Sequence, residues 1–145
     1  MGSSMNAPLY TTEILRLAAS LPEPRELDRA DGTSEQRSPT CGSMIRSSVQ
    51  LDAQGRVEAI SQQVHACAFG QASASLLAAS AAGRSLDEIC AASESLTAWL
   101  SGEADEPGAW PGLAALAPAR TRRSRHGAIL LPFKALAAAM KSARG

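Results

Sequence analysis

Three cysteines and two histidines carry the side chains of this sequence best suited to metal or sulfur chemistry: Cys41, Cys67, Cys90, His65 and His126. Cys67 lies in the stretch from Val64 to Gly83, which reads as the end of a strand, a turn, and then a helix of small residues. Val64 and Ala66 alternate with His65 and Cys67, so a strand puts the last two on one face. A thiol at a strand-to-helix junction has backbone N–H groups and the positive end of a helix dipole beside it, and both favour thiolate. Thiolate is the form that binds soft metals or attacks sulfur. Cys41 sits in a second turn, Ser38-Pro39-Thr40-Cys41-Gly42-Ser43.

The elements around the two thiols are legible from pattern. Met44 to Leu51 reads as a strand, Asp52 to Gly55 as a hairpin turn, and Arg56 to Ala66 as the return strand. Pairing these two strands brings Cys41 and Cys67 to the end of the sheet far from the turn. A short edge strand is expected over Thr33 to Arg37. Ile14, Leu17, Ala18 and Leu21 follow the i, i+3, i+4, i+7 spacing of an amphipathic helix over Thr11 to Leu21, capped by Thr11 or Thr12 and stopped by Pro22 and Pro24. Gly70 offers a turn, Ala72 to Ala82 reads helical, and Gly83 suits its end. Ser85 and Glu88 form a capping box for a further helix, whose buried face takes Leu86, Ile89 and Cys90, so Cys90 is expected in the core. Gly102 to Pro111 is a loop, and Leu113 to Leu116 a short apolar helix or turn. Arg120, Arg122, Arg123 and Arg125 make a basic run ending at His126, read as a solvated face or as a dock for an acidic partner. Pro132 suits the start of a last helix carrying Phe133, Leu136, Ala137 and Met140. The expected fold is α+β, a small three-stranded antiparallel sheet with helices packed on one face.

The 145 residues are enough for one cored domain, expected to span 1–145, with residues 1–4 resembling a cloning remnant ahead of Met5. Fourteen basic and fourteen acidic side chains cancel, which removes the charge argument for nucleic acid or membrane as a partner. An odd, widely spaced set of cysteines is a poor disulfide framework. Neither a signal peptide nor a membrane-spanning run is visible, so the expected location is the cytoplasm. No Ser/His/Asp set, paired carboxylates, phosphate loop or HExxH helix marks an independent enzyme.

The motifs resemble those of the U-type iron–sulfur cluster assembly scaffolds: IscU, SufU and the N-terminal domain of NifU. Ser38 to Ser43 is similar to the family's N-P-x-C-G-D, Ala66 to Ser75 to its G-C-x-x-x-x-A-S-x-S, and Gly83 to Glu88 to its G-K-x-L-x-E. Leu130 to Leu136 resembles the closing C-a-x-L-x-x-x-A-L segment. The long stretch between Ile89 and Ala119 is closer to the SufU-like branch. The resemblance implies a SufE/NifU-like fold, and a scaffold that holds iron, a labile iron–sulfur cluster or sulfur on Cys41 and Cys67. It also implies a cysteine desulfurase and other cluster-assembly proteins as partners, with a homodimer as a further option. Two of the family's four ligand positions differ. Ser43 stands where the Asp is, and Ala128 falls at the third Cys. His126 or His65 is then the candidate to complete the set. Zinc, which prefers four tetrahedral ligands, is disfavoured by Ser43 and Ala128. The alternative is a metal-free relative that keeps the fold as a protein-binding module.

Overall fold

The computed structural model describes residues 10–39 and 42–144. Thr40 and Cys41 lie outside the described residues. The element order is α1 (Thr12–Ala19), β1 (Gly32–Arg37), β2 (Met44–Leu51), β3 (Val57–His65), α2 (Ala68–Ser80), α3 (Leu86–Leu100), a 3₁₀ segment (Leu113–Thr121) and α4 (Arg123–Arg144). The strands form an antiparallel sheet in the order β1-β2-β3, with helices on one face, as the pattern predicts. No helix among the described residues is long and apolar enough to cross a membrane.

Each start signal has a physical cause. The Thr11 hydroxyl accepts from the Ile14 N–H at 3.1 Å and caps α1. The Ser85 hydroxyl accepts from the Glu88 N–H, and the Glu88 carboxylate accepts from the Ser85 N–H, so the expected capping box opens α3. The hairpin closes through the Asp52 side chain, which accepts from the N–H groups of Gln54 and Arg56.

The core lies between sheet and helices and is mostly aliphatic. Val49 and Val57 of the sheet meet Phe69, Leu77, Ile129 and Leu136 of the helices. Trp110, from the loop, stands edge-on to Phe133 at 5.2 Å and donates its indole N–H to the Leu76 carbonyl at 2.9 Å.

Two helix starts differ from the sequence reading. α2 begins at Ala68, so Gly70 is in the first helical turn and buried. α4 begins at Arg123, which takes part of the basic run and His126 into its first turn, and Pro132 is interior to the helix rather than at its start. Proline lacks the N–H that would bond the Ala128 carbonyl four residues earlier. Cys90 is half-buried on α3, where it packs against the main core as expected and also lines a shallow groove with Lys134 and Lys141 of α4.

Candidate metal and sulfur site

Cys67 is the residue immediately before α2. Its backbone is extended, at φ −67° and ψ 173°, and its side chain makes no capping hydrogen bond. The thiol is free, half-buried and packed against the main core. Two neighbours hold this turn. The Gln71 amide donates to the Ala66 carbonyl at 2.9 Å, and Tyr10 stands edge-on to Phe69 at 5.0 Å.

The turn that carries Cys41 is fixed on both sides of it. The Ser38 N–H donates to the Ser43 carbonyl at 2.9 Å, and the Gly42 N–H donates to the Ser38 carbonyl at 3.0 Å. Gly42 has φ +72°, a left-handed conformation that glycine adopts without cost. Met44 pairs with His65 across the hairpin. Ser43, next to Met44, therefore lies at the end of the sheet from which the chain leaves towards Cys67.

α4 closes the third side. A Cβ at Gly70 would lie 2.7 Å from the Ala66 Cβ and 3.3 Å from both the Cβ and the carbonyl oxygen of Ala128. A Cβ at Gly127 would lie 2.6 Å from the Ser38 hydroxyl oxygen. So Gly127 abuts Ser38, and Ala128 abuts Gly70 in the first turn of α2. The Ser73 hydroxyl donates to the Ile129 carbonyl at 2.6 Å and binds α2 to α4 just beyond. These small-residue contacts are not visible as periodicity. A Gly-Ala pair in the α4 run was the available signal.

Ala128 is fully buried and Ser43 nearly so. Neither α2 nor α4 has an acidic residue in its first turn, so both positive dipole ends near this corner are uncompensated from within their own helices. Negative charge, such as a thiolate, is favoured there. His126 is half-buried at the start of α4. Its Nε2 lies 2.9 Å from the Ala119 carbonyl and 3.2 Å from that of Arg120. Carbonyls only accept, so Nε2 carries the proton and Nδ1 is the nitrogen left to act as an acceptor or ligand. His65 ends β3 and is exposed, lining a cleft with Gln71 and the chain after α1.

A family model described as the NifU-like N terminal domain matches residues 9–106, about two thirds of the chain. The chain belongs to the NifU-like N-terminal domain family. Two solved structures agree with this. The N-terminal part of a NifU-like protein from Brucella abortus is 28% identical, with a TM-score of 0.86 and 94% of each chain covered. A protein assigned as an iron–sulfur cluster assembly scaffold for the SUF system, from Fervidobacterium islandicum, has a TM-score of 0.81 at 17% identity. That likeness covers 91% of this chain and 96% of the other, and concerns the fold. No protein of curated function matches.

The donor set of this NifU-like domain is sparse. Among the described residues, no group of three or more His, Cys, Asp or Glu side chains is placed to hold a metal ion. Cys67 is the described thiol at the corner, Ser43 offers a neutral hydroxyl, and Ala128 offers no donor. A closed four-ligand cage of protein side chains does not fit these described residues.

Proposed function

We propose that this chain is an iron–sulfur cluster assembly protein that takes its cargo on Cys41 and Cys67. That cargo is iron, a labile cluster, or sulfur delivered by a cysteine desulfurase. The observation that supports this reading is that Ser38 and Ser43, which flank Cys41 in sequence, lie at the end of the sheet where the Cys67 turn and the α4 segment around Gly127 and Ala128 also lie. Thiolates are soft ligands suited to iron and sulfide. With two of them, coordination stays open, and the cargo is exchangeable rather than structural. Sulfur transfer needs no further group. A thiolate attacks the outer sulfur of a donor persulfide, a new S–S bond forms, and the donor leaves as its own thiolate. On this reading the protein is an acceptor and not an independent enzyme. Free thiols suit a reducing compartment such as the cytoplasm. His126, through Nδ1, is the candidate third metal ligand.

The test is anaerobic reconstitution with iron and sulfide. Wild type is expected to develop visible cluster absorption, and a Cys41→Ala/Cys67→Ala variant to lack it. Equal spectra would remove the reading.

A second reading is favoured by the buried Ala128: a metal-free module that docks assembly proteins through the same fold. It is distinguished by capture of a cysteine desulfurase that survives loss of both thiols.

A further inference from the structure

A polar row crosses the inner face of the sheet and divides its apolar packing. Ile45 and Val64 are paired across β2 and β3, and pack with Leu131 and Ala135 in a small cluster of their own. Further along, Val49 pairs with Ile60, and both pack in the main core. Between these two levels stands the pair Ser47 and Gln62. Alternation along each strand turns both side chains towards the helices, as it does those of Ile45 and Val49. Ser34 of β1 pairs with Ser47 on its other side, and its hydroxyl accepts from the Gln36 amide at 2.8 Å. The cluster nearer the Cys67 end of the sheet is thus separated from the main core by polar side chains.

Two atoms of this row are buried without a partner. Ser47 is 0% exposed and Gln62 6%. The Gln62 Nε2 donates to the Ala74 carbonyl of α2 at 3.0 Å. A carbonyl only accepts, so the amide orientation is fixed and Oε1 is the atom left over. Among the described residues, Gln62 Oε1 and the Ser47 hydroxyl oxygen are the buried side-chain atoms that make no hydrogen bond, even to each other. Buried polar atoms are costly unless paired, and native interiors pair nearly all of them. Ser34, Ser47 and Gln62 carry no charge, and neither do Gln36, Ile45, Val49, Ile60 and Val64 beside them on the same face. What pairs the two oxygens is therefore neutral. Oε1 only accepts, so its partner must donate, whereas the hydroxyl can do either. A water molecule does both at once, and bridging two buried oxygens on neighbouring strands is what internal water does. Gln62 also lines a cleft with Pro22, His65 and Gln71, which gives water a route in.

We propose that Ser47 and Gln62 hold an internal water between β2 and β3, as a fixed part of the fold beneath the Cys67 end of the sheet. The water accepts from the Ser47 hydroxyl and donates to Gln62 Oε1. It closes the polar row where the two apolar clusters part. This inference is independent of the cargo reading.

A crystal structure of the wild-type chain, at a resolution that shows ordered water, is the first test. The expected result is a water oxygen within about 3.2 Å of both Ser47 Oγ and Gln62 Oε1. A direct Ser47–Gln62 hydrogen bond, or no density between the two oxygens, would overturn the proposal. In solution, magnetic relaxation dispersion of the water oxygen counts long-lived internal waters. Ser47→Ala/Gln62→Met removes both oxygens and is expected to lose about one such water, with far-UV circular dichroism matching wild type. An unchanged count would equally overturn the proposal. If the double variant does not fold, the wild-type crystal structure decides.

Discussion

Cys67 owes its position to being the residue before a helix, with a side chain that no capping bond holds. Ala128 owes its burial to the missing Cβ of Gly70. Ala128 lies against Gly70, three residues after Cys67, and the resemblance puts Ala128 at the family's third cysteine. Ala128→Cys is therefore expected to raise the affinity for zinc or iron(II) by about tenfold or more, as a third thiolate replaces water. Competition against a chromophoric chelator measures this. An unchanged affinity would mean that the side chain at 128 cannot reach the cargo. The part of the site legible in the sequence was the pair of thiol-bearing turns. The tight Gly70–Ala128 contact was not, because close approach of two helices leaves no periodic trace when both surfaces are small residues. The side-chain position of Cys41 lies outside the described residues and remains the proposal made above.

At the scale of elements, local signals were sufficient where local chemistry decides. The strands alternate, the hairpin turn is polar, and the capping box at Ser85 and Glu88 forms as its spacing predicts. The Ser85 N–H, followed by the Ser85 hydroxyl and the Arg56 guanidinium, holds the Glu88 carboxyl below the usual carboxylate range. A carboxyl lowered on folding adds stability that is present above its unfolded value and lost as pH falls through the folded one. Glu88→Gln is expected to melt below wild type at neutral pH, with the gap closing as the pH drops beneath the ordinary carboxylate range. Thermal melts across that window check the sign. A gap that persists in acid would assign the effect to packing. Local signals misled where tertiary contacts decide. Gly70 reads as a turn but serves a helix contact. Pro132 reads as a start but is tolerated inside α4. Arg123 to His126 lack apolar periodicity, yet they begin that helix and His126 ties it to the 3₁₀ segment. The residues from Leu21 to Ala30 are polar and irregular, so their hydrogen bonds to Ser61 and Gln50 of the sheet had no signature in the sequence.

Across the whole molecule, one end of the sheet collects residues distant in sequence: Ser38 and Ser43, 66–70 and 126–128. Two helices begin there without acidic residues in their first turns, and an aliphatic core behind them holds the corner in place. Cys90, on α3, packs against the core and lines a different groove, with Lys134 and Lys141 of α4. The account depends on Cys41 and Cys67 sharing the corner while Cys90 does not. The most direct measurement is mild oxidation of the dilute apo-protein, followed by mapping of disulfides by mass spectrometry. A bridge requires Cα atoms within about 7 Å. The expected product is an intramolecular Cys41–Cys67 disulfide with Cys90 left as a free thiol. Contradiction would be Cys41 and Cys67 recovered as separate thiols under conditions that oxidise an exposed pair, or either one bridged to Cys90.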